Sequence, residues 1–288
     1  MQNTISSVRL ANYQANTFRT NPSQFLKSIE EAIDFVDERG FIFFWPIKHV
    51  LFPSLWTATV GNRPVPNEHD DPGHITWQWK DSLLGTGKWY YAKIIRNKST
   101  IISIEMLPFF YALSNNYGSP EEDYLTSYEQ GLLTLEAKII YETLLKEGPL
   151  DTISIRKSAF LSNKESDTRF NKALIDLQVD LKILPVGISQ AGRWRYAFVY
   201  DVFHHHYSQV IDQAHLINDN IARKELTLAY FSSLGAAKFS ELCSFFHWKY
   251  LDTEKVVSQL ISNKQLISEF NVENSKYKFV GIPNLMNF

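Results

Sequence analysis

Cysteine is nearly absent. Cys243 stands alone in 288 residues, so no internal disulfide can form and a cysteine-based zinc site of the common kind is excluded. That usage fits a reducing compartment, and a cytoplasmic location is expected. An excess of basic charge is lacking as well: Lys and Arg number 29 against 31 Asp and Glu, a formal net charge of −2. Free-standing nucleic-acid binders are usually basic. Any DNA binding must therefore use a local patch, and it would be sensitive to salt. Long hydrophobic runs are missing too. The most apolar stretch, "GFIFFWPIKHVLFP" at 40–53, is interrupted by Pro46, Lys48 and His49 and falls short of the roughly 18 residues a spanning helix needs. No membrane partner is expected. The first residues, "MQNTISSVRLANYQANTF", lack the apolar segment of a signal peptide. "LKEGPL" at 145–150 lacks the glycine pattern and GK[ST] ending of a phosphate loop, and no Ser-His-Asp arrangement has a local signal.

What remains is ample for a core, with 44% hydrophobic and 14% aromatic residues. The length allows one large domain or two to three small ones. Residues 23–38, "SQFLKSIEEAIDFVDE", place Phe25, Ile29, Ile33 and Phe35 or Val36 near helical spacing. Ser23 is the expected N-cap and Gly40 the expected stop. Pro46 and Pro53 exclude one uninterrupted helix over 40–53, which reads as a bent core element. Residues 61–81, "GNRPVPNEHDDPGHITWQWKD", are rich in Pro, Gly and Asp and predict a long loop. "KWYYAKIIRN" and "TIISIEML" predict two strands around "NKS", and "LPFFYALSNN" a helix or buried connector. "SPEEDYLTSYEQG" at 119–131 reads as a polar linker.

A rhythm follows. "LLTLEAKIIYETLLKEG", "DTISIRKSAFL" and "SDTRFNKALIDLQVDLKI" predict three helices, the last opened by a Ser or Asp cap. "LPVGIS" and "RWRYAFVYDV" predict two strands around "QAG". Helix, helix, helix, strand, turn, strand is the order of a winged helix. The order returns in "ARKELTLAYFSSLG", "KFSELCSFFHW", "DTEKVVSQLISNKQL" (with Asp252 as cap), "LISEFNV" and "KYKFVGIP". Between the two lies "FHHHYSQVIDQAHLINDN", a connecting helix and turn. The expected fold is mainly α with small β-wings (α+β), built of tandem winged-helix units. Its domains are a central winged helix at 126–203 and a C-terminal winged helix at 204–288, preceded by an N-terminal region with a long loop at 1–118.

With these units placed, the chain resembles the AlkZ/YcaQ-type winged-helix DNA glycosylases, and especially their shorter AlkZ-related relatives. The residues that carry the likeness are "FFWPIKHVLFPSLWTATVG", "DDPGHITWQWKD", "EAKIIYETLLKEGPL", "RFNKALIDLQVDLKILPVG", "GRWRYAFVYD" and "LTLAYFSSLGAA". The resemblance implies tandem winged helices forming a concave surface for double-stranded DNA, with residues 25–115 making the 1–118 region a degenerate N-terminal winged-helix-like unit, and no cofactor is expected. It also implies a Gln-x-Gln or Gln-x-Asp motif shortly after a glycine, whose second residue positions or activates the water that releases an alkylated base. Aligned on Gly40, those positions are Phe43 and Trp45. Residues 41–47 hold no Gln, Asp or Glu. A phenyl and an indole ring offer no lone pair of suitable basicity for water. A DNA glycosylase is therefore implied by kinship while its catalytic motif is missing, and the catalytic residues stay unassigned.

Other residues are candidates for a pocket: Trp45, His49, His69, Asp70, Asp71, His74, Trp77, Trp79 and Lys80. Glu68, His69, Asp70, Asp71 and His74 could bind a divalent ion or replace the general base. They could equally form a solvated loop in which Asp71-Pro72-Gly73 makes a turn, and no metal is expected. Trp77 and Trp79, on a strand, would share one face and offer a stacking platform for a base; packing of at least one into the core is the competing use. His204, His205 and His206 point in different directions on any regular element, so one metal would not gather all three. For DNA contact the candidates are Lys164, Arg169 and Lys172 on or before the third helix of the central unit, and Arg193 and Arg195 in its wing. Asp167, Asp176 and Asp180 on the same helix weigh against it. Three readings compete: a DNA-binding protein without the family's chemistry, an active glycosylase using other residues, and a regulatory or protein-interaction winged helix.

Overall fold

Residues 4–66, 70–116, 118–192 and 195–286 are described by the computed structural model. The elements follow in chain order. Strand β1 (Thr4–Ile5) leads into helix α1 (Ser7–Thr17), then α2 (Ile29–Arg39), β2 (Phe41–Phe43), α3 (Leu55–Val60) and α4 (Ile75–Leu83). A hairpin of β3 (Tyr90–Lys93) and β4 (Ser99–Ile102) precedes α5 (Leu107–Tyr111) and α6 (Pro120–Glu129). Next come α7 (Leu135–Glu147), β5 (Leu150–Asp151), α8 (Thr152–Ser158), α9 (Asp167–Val179), β6 (Ile183–Ser189) and β7 (Ala197–Val202). Then α10 (His204–Ala214), α11 (Asp219–Leu234), β8 (Ala236–Ala237), α12 (Phe239–Phe246), α13 (Tyr250–Ser262), β9 (Ile267–Val272) and β10 (Lys278–Gly281) complete the chain.

Two compact units result. One joins residues 1–76 to 219–288; the other spans 77–218. These limits differ from the expected cuts at 118 and 204, because contacts rather than sequence rhythm tie the first residues to the last. β1 pairs in parallel with β9, Thr4 opposite Asn271. Side chains of α1 close the end of α11: Tyr13, Thr17 and Gln14 donate to the carbonyls of Ser232, Ser233 and Leu234 at 2.6, 2.7 and 3.0 Å. Such terminal carbonyls have no partner within their own helix.

Each unit contains the same local order. In the 77–218 unit, α7, α8 and α9 precede the β6–β7 hairpin, and β5, set between the first two helices, pairs with β7. In the other unit, α11, α12 and α13 precede the β9–β10 hairpin, and β8 pairs with β10. The fold is α+β and winged-helix-like. The central core gathers Ala137, Ile140 and Leu144 from α7, Ile155 from α8, Phe170 and Leu177 from α9, and Val202 from β7. This one-face spacing is what buries a helix against its neighbours.

Four local expectations are corrected. The helix assigned to 23–38 begins at Ile29, with Ser28 rather than Ser23 as its cap; Ser28 accepts from the Glu31 amide at 3.2 Å. The chain before it is committed elsewhere, since the Leu26 amide donates to the Ala58 carbonyl. The loop assigned to 61–81 ends early. Asp71 accepts from the Gly73 amide and Pro72 occupies the first position of a short 3-10 turn that leads into α4. The linker assigned to 119–131 is helix α6: Pro120 opens it, three acids fill its first turn, and Asp123 accepts back from the Ser119 amide at 3.1 Å. Asp252 lies within the first turn of α13, preceded by Lys249 at the cap position. Gly40 does end α2, at φ 77°, a conformation glycine adopts without penalty.

Candidate functional site

The position expected to hold the family's polar pair is built from α2, the Gly40 turn and β2. Every residue of β2 is buried. Phe43 is 1% exposed, and its ring lies 6.0 Å from Phe52 and 5.8 Å from Phe245. Phe41 stacks on Phe52 at 5.2 Å and meets Phe246 edge-on at 5.8 Å, while Phe52 stacks on Tyr230 at 5.7 Å. Aromatic pairs at such distances gain beyond area burial alone. Phe43 thus belongs to a ring cluster formed with α11 and α12. Trp45 is half-buried beside Phe44, and His49 is exposed on a turn at φ 64°.

The described part of the acidic and histidine loop lies in the same unit. Asp71 receives two bonds from Arg63, at 2.6 and 2.9 Å, and the Arg63 guanidinium sits 4.8 Å from the Trp56 ring. Trp56 donates its indole N–H to the Arg63 carbonyl at 2.9 Å. The paired Arg63 is the main reason the Asp71 carboxyl is held below its usual range. Asp71 therefore fastens the loop to Trp56. Gly73 presses on the same indole: a Cβ there would lie 2.7 Å from it. His74 touches Trp56 at 5.9 Å and Asp70 is exposed. Glu68 and His69 lie outside the described residues. Among the described residues, no three His, Cys, Asp or Glu side chains form a set that could hold a metal ion.

Trp77, Trp79 and Lys80 lie in the other unit, on helix α4 rather than on a strand. Residues two apart on a helix face different ways, so the two indoles share no platform. Trp79 is buried, while Trp77 stacks on Tyr196 at 6.1 Å. Lys80 is 3% exposed. Its ammonium donates to Tyr196 at 2.8 Å, pairs with Asp81 at 2.7 Å and lies 4.6 Å from the Phe198 ring. Burial lowers its pKa, against the opposing pull of Asp81; burial likewise raises Tyr196, with Asp81 adding to it. The arrangement ties α4 to β7. Nothing in the sequence pairs position 80 with 196.

The expected DNA-contact residues of α9 are exposed but paired. Arg169 meets Glu136 at 2.8 Å and Lys172 meets Asp176 at 2.5 Å. Arg156, not foreseen from sequence, bonds Asp167 at 2.7 Å and lies 3.9 Å over Phe170, joining α8 to α9. Lys164 and Arg195 are exposed; Arg193 lies outside the described residues. Two of the three consecutive histidines converge on one acid. His205 Nδ1 and His206 Nε2 lie 3.0 and 2.9 Å from the two oxygens of buried Asp201. Burial alone would raise the Asp201 carboxyl, but bonds from His206, the Val202 amide and His205 outweigh it and hold it low. The D-x-x-x-H-H spacing was the available signal.

The chain matches the AlkZ-related family over residues 26–247. It belongs to that family. Among solved structures, this AlkZ-related chain is similar to the Streptomyces sahachiroi DNA glycosylase AlkZ, with a TM-score of 0.60 at 11% identity, covering 98% of this chain and 71% of that one. Comparison with curated proteins finds no match. No helix among the described residues is long and apolar enough to cross a membrane.

Proposed function

We propose that this AlkZ-related chain is a DNA-repair-related protein that binds double-stranded DNA without the paired polar side chains used by the related glycosylases. The observation that carries this reading is that both positions we align with the polar pair are aromatic: Phe43 is buried among Phe52 and Phe245, and Trp45, in the place of the water-activating residue, is half-buried beside Phe44. Neither a phenyl nor an indole ring offers water a lone pair of suitable basicity. Asp71, a candidate substitute base, is bound by Arg63. DNA contact would come through Lys164, Arg169 and Lys172 at α9 and Arg195 in the wing, with Glu136 and Asp176 exchanged for phosphate. Exposed ion pairs are weak enough for that exchange.

The test uses the full chain at low salt, with duplex DNA carrying alkylated or crosslinked bases. The expected outcome is salt-dependent binding and no base release. Release by the wild-type chain would establish a glycosylase working through other residues. Absence of binding to any duplex would leave the protein-interaction reading standing.

A further inference from the structure

Phe160 is 91% exposed, the most exposed large apolar side chain among the described residues. It occupies the turn between α8 and α9, the turn that leads into the groove-facing position of a helix-turn-helix. Its backbone is left-handed at φ 57°. The Phe160 amide donates to the Lys157 carbonyl at 3.2 Å, and the Leu161 amide to the Arg156 carbonyl at 2.8 Å. That pair of bonds ends a helix with one left-handed residue, and glycine is the residue it ordinarily takes.

The neighbours lock this geometry. Ala159 is buried in the central core and Leu161 packs against it. The Leu161 carbonyl accepts from Ser166 at 2.7 Å, and Asn163 accepts from the Ser166 amide at 2.9 Å. The turn is thus held on both sides of Phe160 while the ring alone is turned outward. A ring so placed contributes nothing to the core and keeps the backbone in a conformation L residues disfavour. Residues held in this region recur at binding and switch sites.

The surroundings select the partner. Lys157, Ser162, Asn163, Lys164 and Glu165 around it are all exposed, two cations against one carboxylate. An apolar contact for a protein partner ordinarily lies in a contiguous apolar patch. A single flat ring with cations beside it fits a base exposed in a nucleic acid duplex, where aromatic stacking is tolerant of sequence and apolar side chains enter between base steps. We propose that Phe160 stacks on an unpaired or unstacked base at a defect in duplex DNA, with Lys157 and Lys164 on the flanking phosphates. This rests on the DNA-binding reading above.

The experiment uses the full chain and three variants, F160A, F160G and F160W. The probes are a short duplex with one tetrahydrofuran abasic analogue opposite 2-aminopurine, and the same duplex intact. The readouts are the ratio of the two affinities, the quenching of 2-aminopurine and the thermal midpoint. A general change in binding cancels in the ratio. The wild type should prefer the abasic duplex and quench the probe. F160A and F160G should lose roughly 5- to 150-fold of that preference, and F160W should keep it. F160G should unfold no lower than wild type, because glycine accepts this backbone; its loss then reports the ring and not the fold. Equal preference in wild type and F160A, with binding retained, overturns the stacking role and leaves DNA binding intact. Loss of self-association in F160A, with the preference unmoved, overturns it in favour of a protein contact. Failure of the wild type to bind either duplex overturns both readings together.

Discussion

Phe43 is a single buried ring that packs β2 against α12. F43Q places a carboxamide between the rings of Phe52 and Phe245. Removing a buried ring and leaving a polar group unpaired costs about 3–5 kcal/mol. The expected result is a clear drop in denaturation midpoint with no gain of base release; unchanged stability would mean the ring is not core. Asp201 gives a second test. Its folded pKa lies below its ordinary value of 3.8. Its bonds therefore contribute stability at neutral pH, and that contribution is lost as pH falls through the folded pKa. D201N should cost about 1.5–3 kcal/mol at pH 7. The gap from wild type should close below about pH 4. A gap that stays constant down to pH 3 would show that the carboxylate's charge is not what matters.

Helix boundaries are the next scale. S28A removes the cap of α2 and should destabilise by about 1 kcal/mol, whereas S23A should lie within about 0.5 kcal/mol of wild type. Chemical denaturation of both variants decides it, and the reverse order would return the cap to Ser23. The sequence-based reading succeeded where local chemistry and burial agree: α7, α9, α11, both wing hairpins and the Gly40 stop follow from periodicity and glycine geometry. It failed where one local signal carried two meanings. Asp71-Pro72-Gly73 makes a turn, but the same residues also open a helix. Ser119-Pro120 with three following acids looked like a solvated linker and is a helix start. Much of the candidate site was not legible because its bonds join distant residues, as Lys80 does with Tyr196 and Arg169 with Glu136. No spacing along one chain announces such pairs.

At the scale of the molecule, the 1–76 and 219–288 unit depends on its first residues. Deleting residues 1–18 removes β1 and the three donors that close α11. It also removes the Ile5 carbonyl that accepts from the Glu273 amide at 2.9 Å. Hydrogen exchange should quicken at Glu273, along β9 and near the end of α11. Unchanged exchange there would mean the N-terminal segment is dispensable. The same discontinuity also orders events on the ribosome. Domains tend to fold as they are completed during synthesis, and the 77–218 unit is complete while 219–288 is still unmade. Phe41, Phe43 and Phe52 must then wait for Tyr230, Phe245 and Phe246, their partners in the finished protein. In that interval these rings lack the side chains that later cover them, and transiently exposed apolar surface of this kind is what chaperones shield.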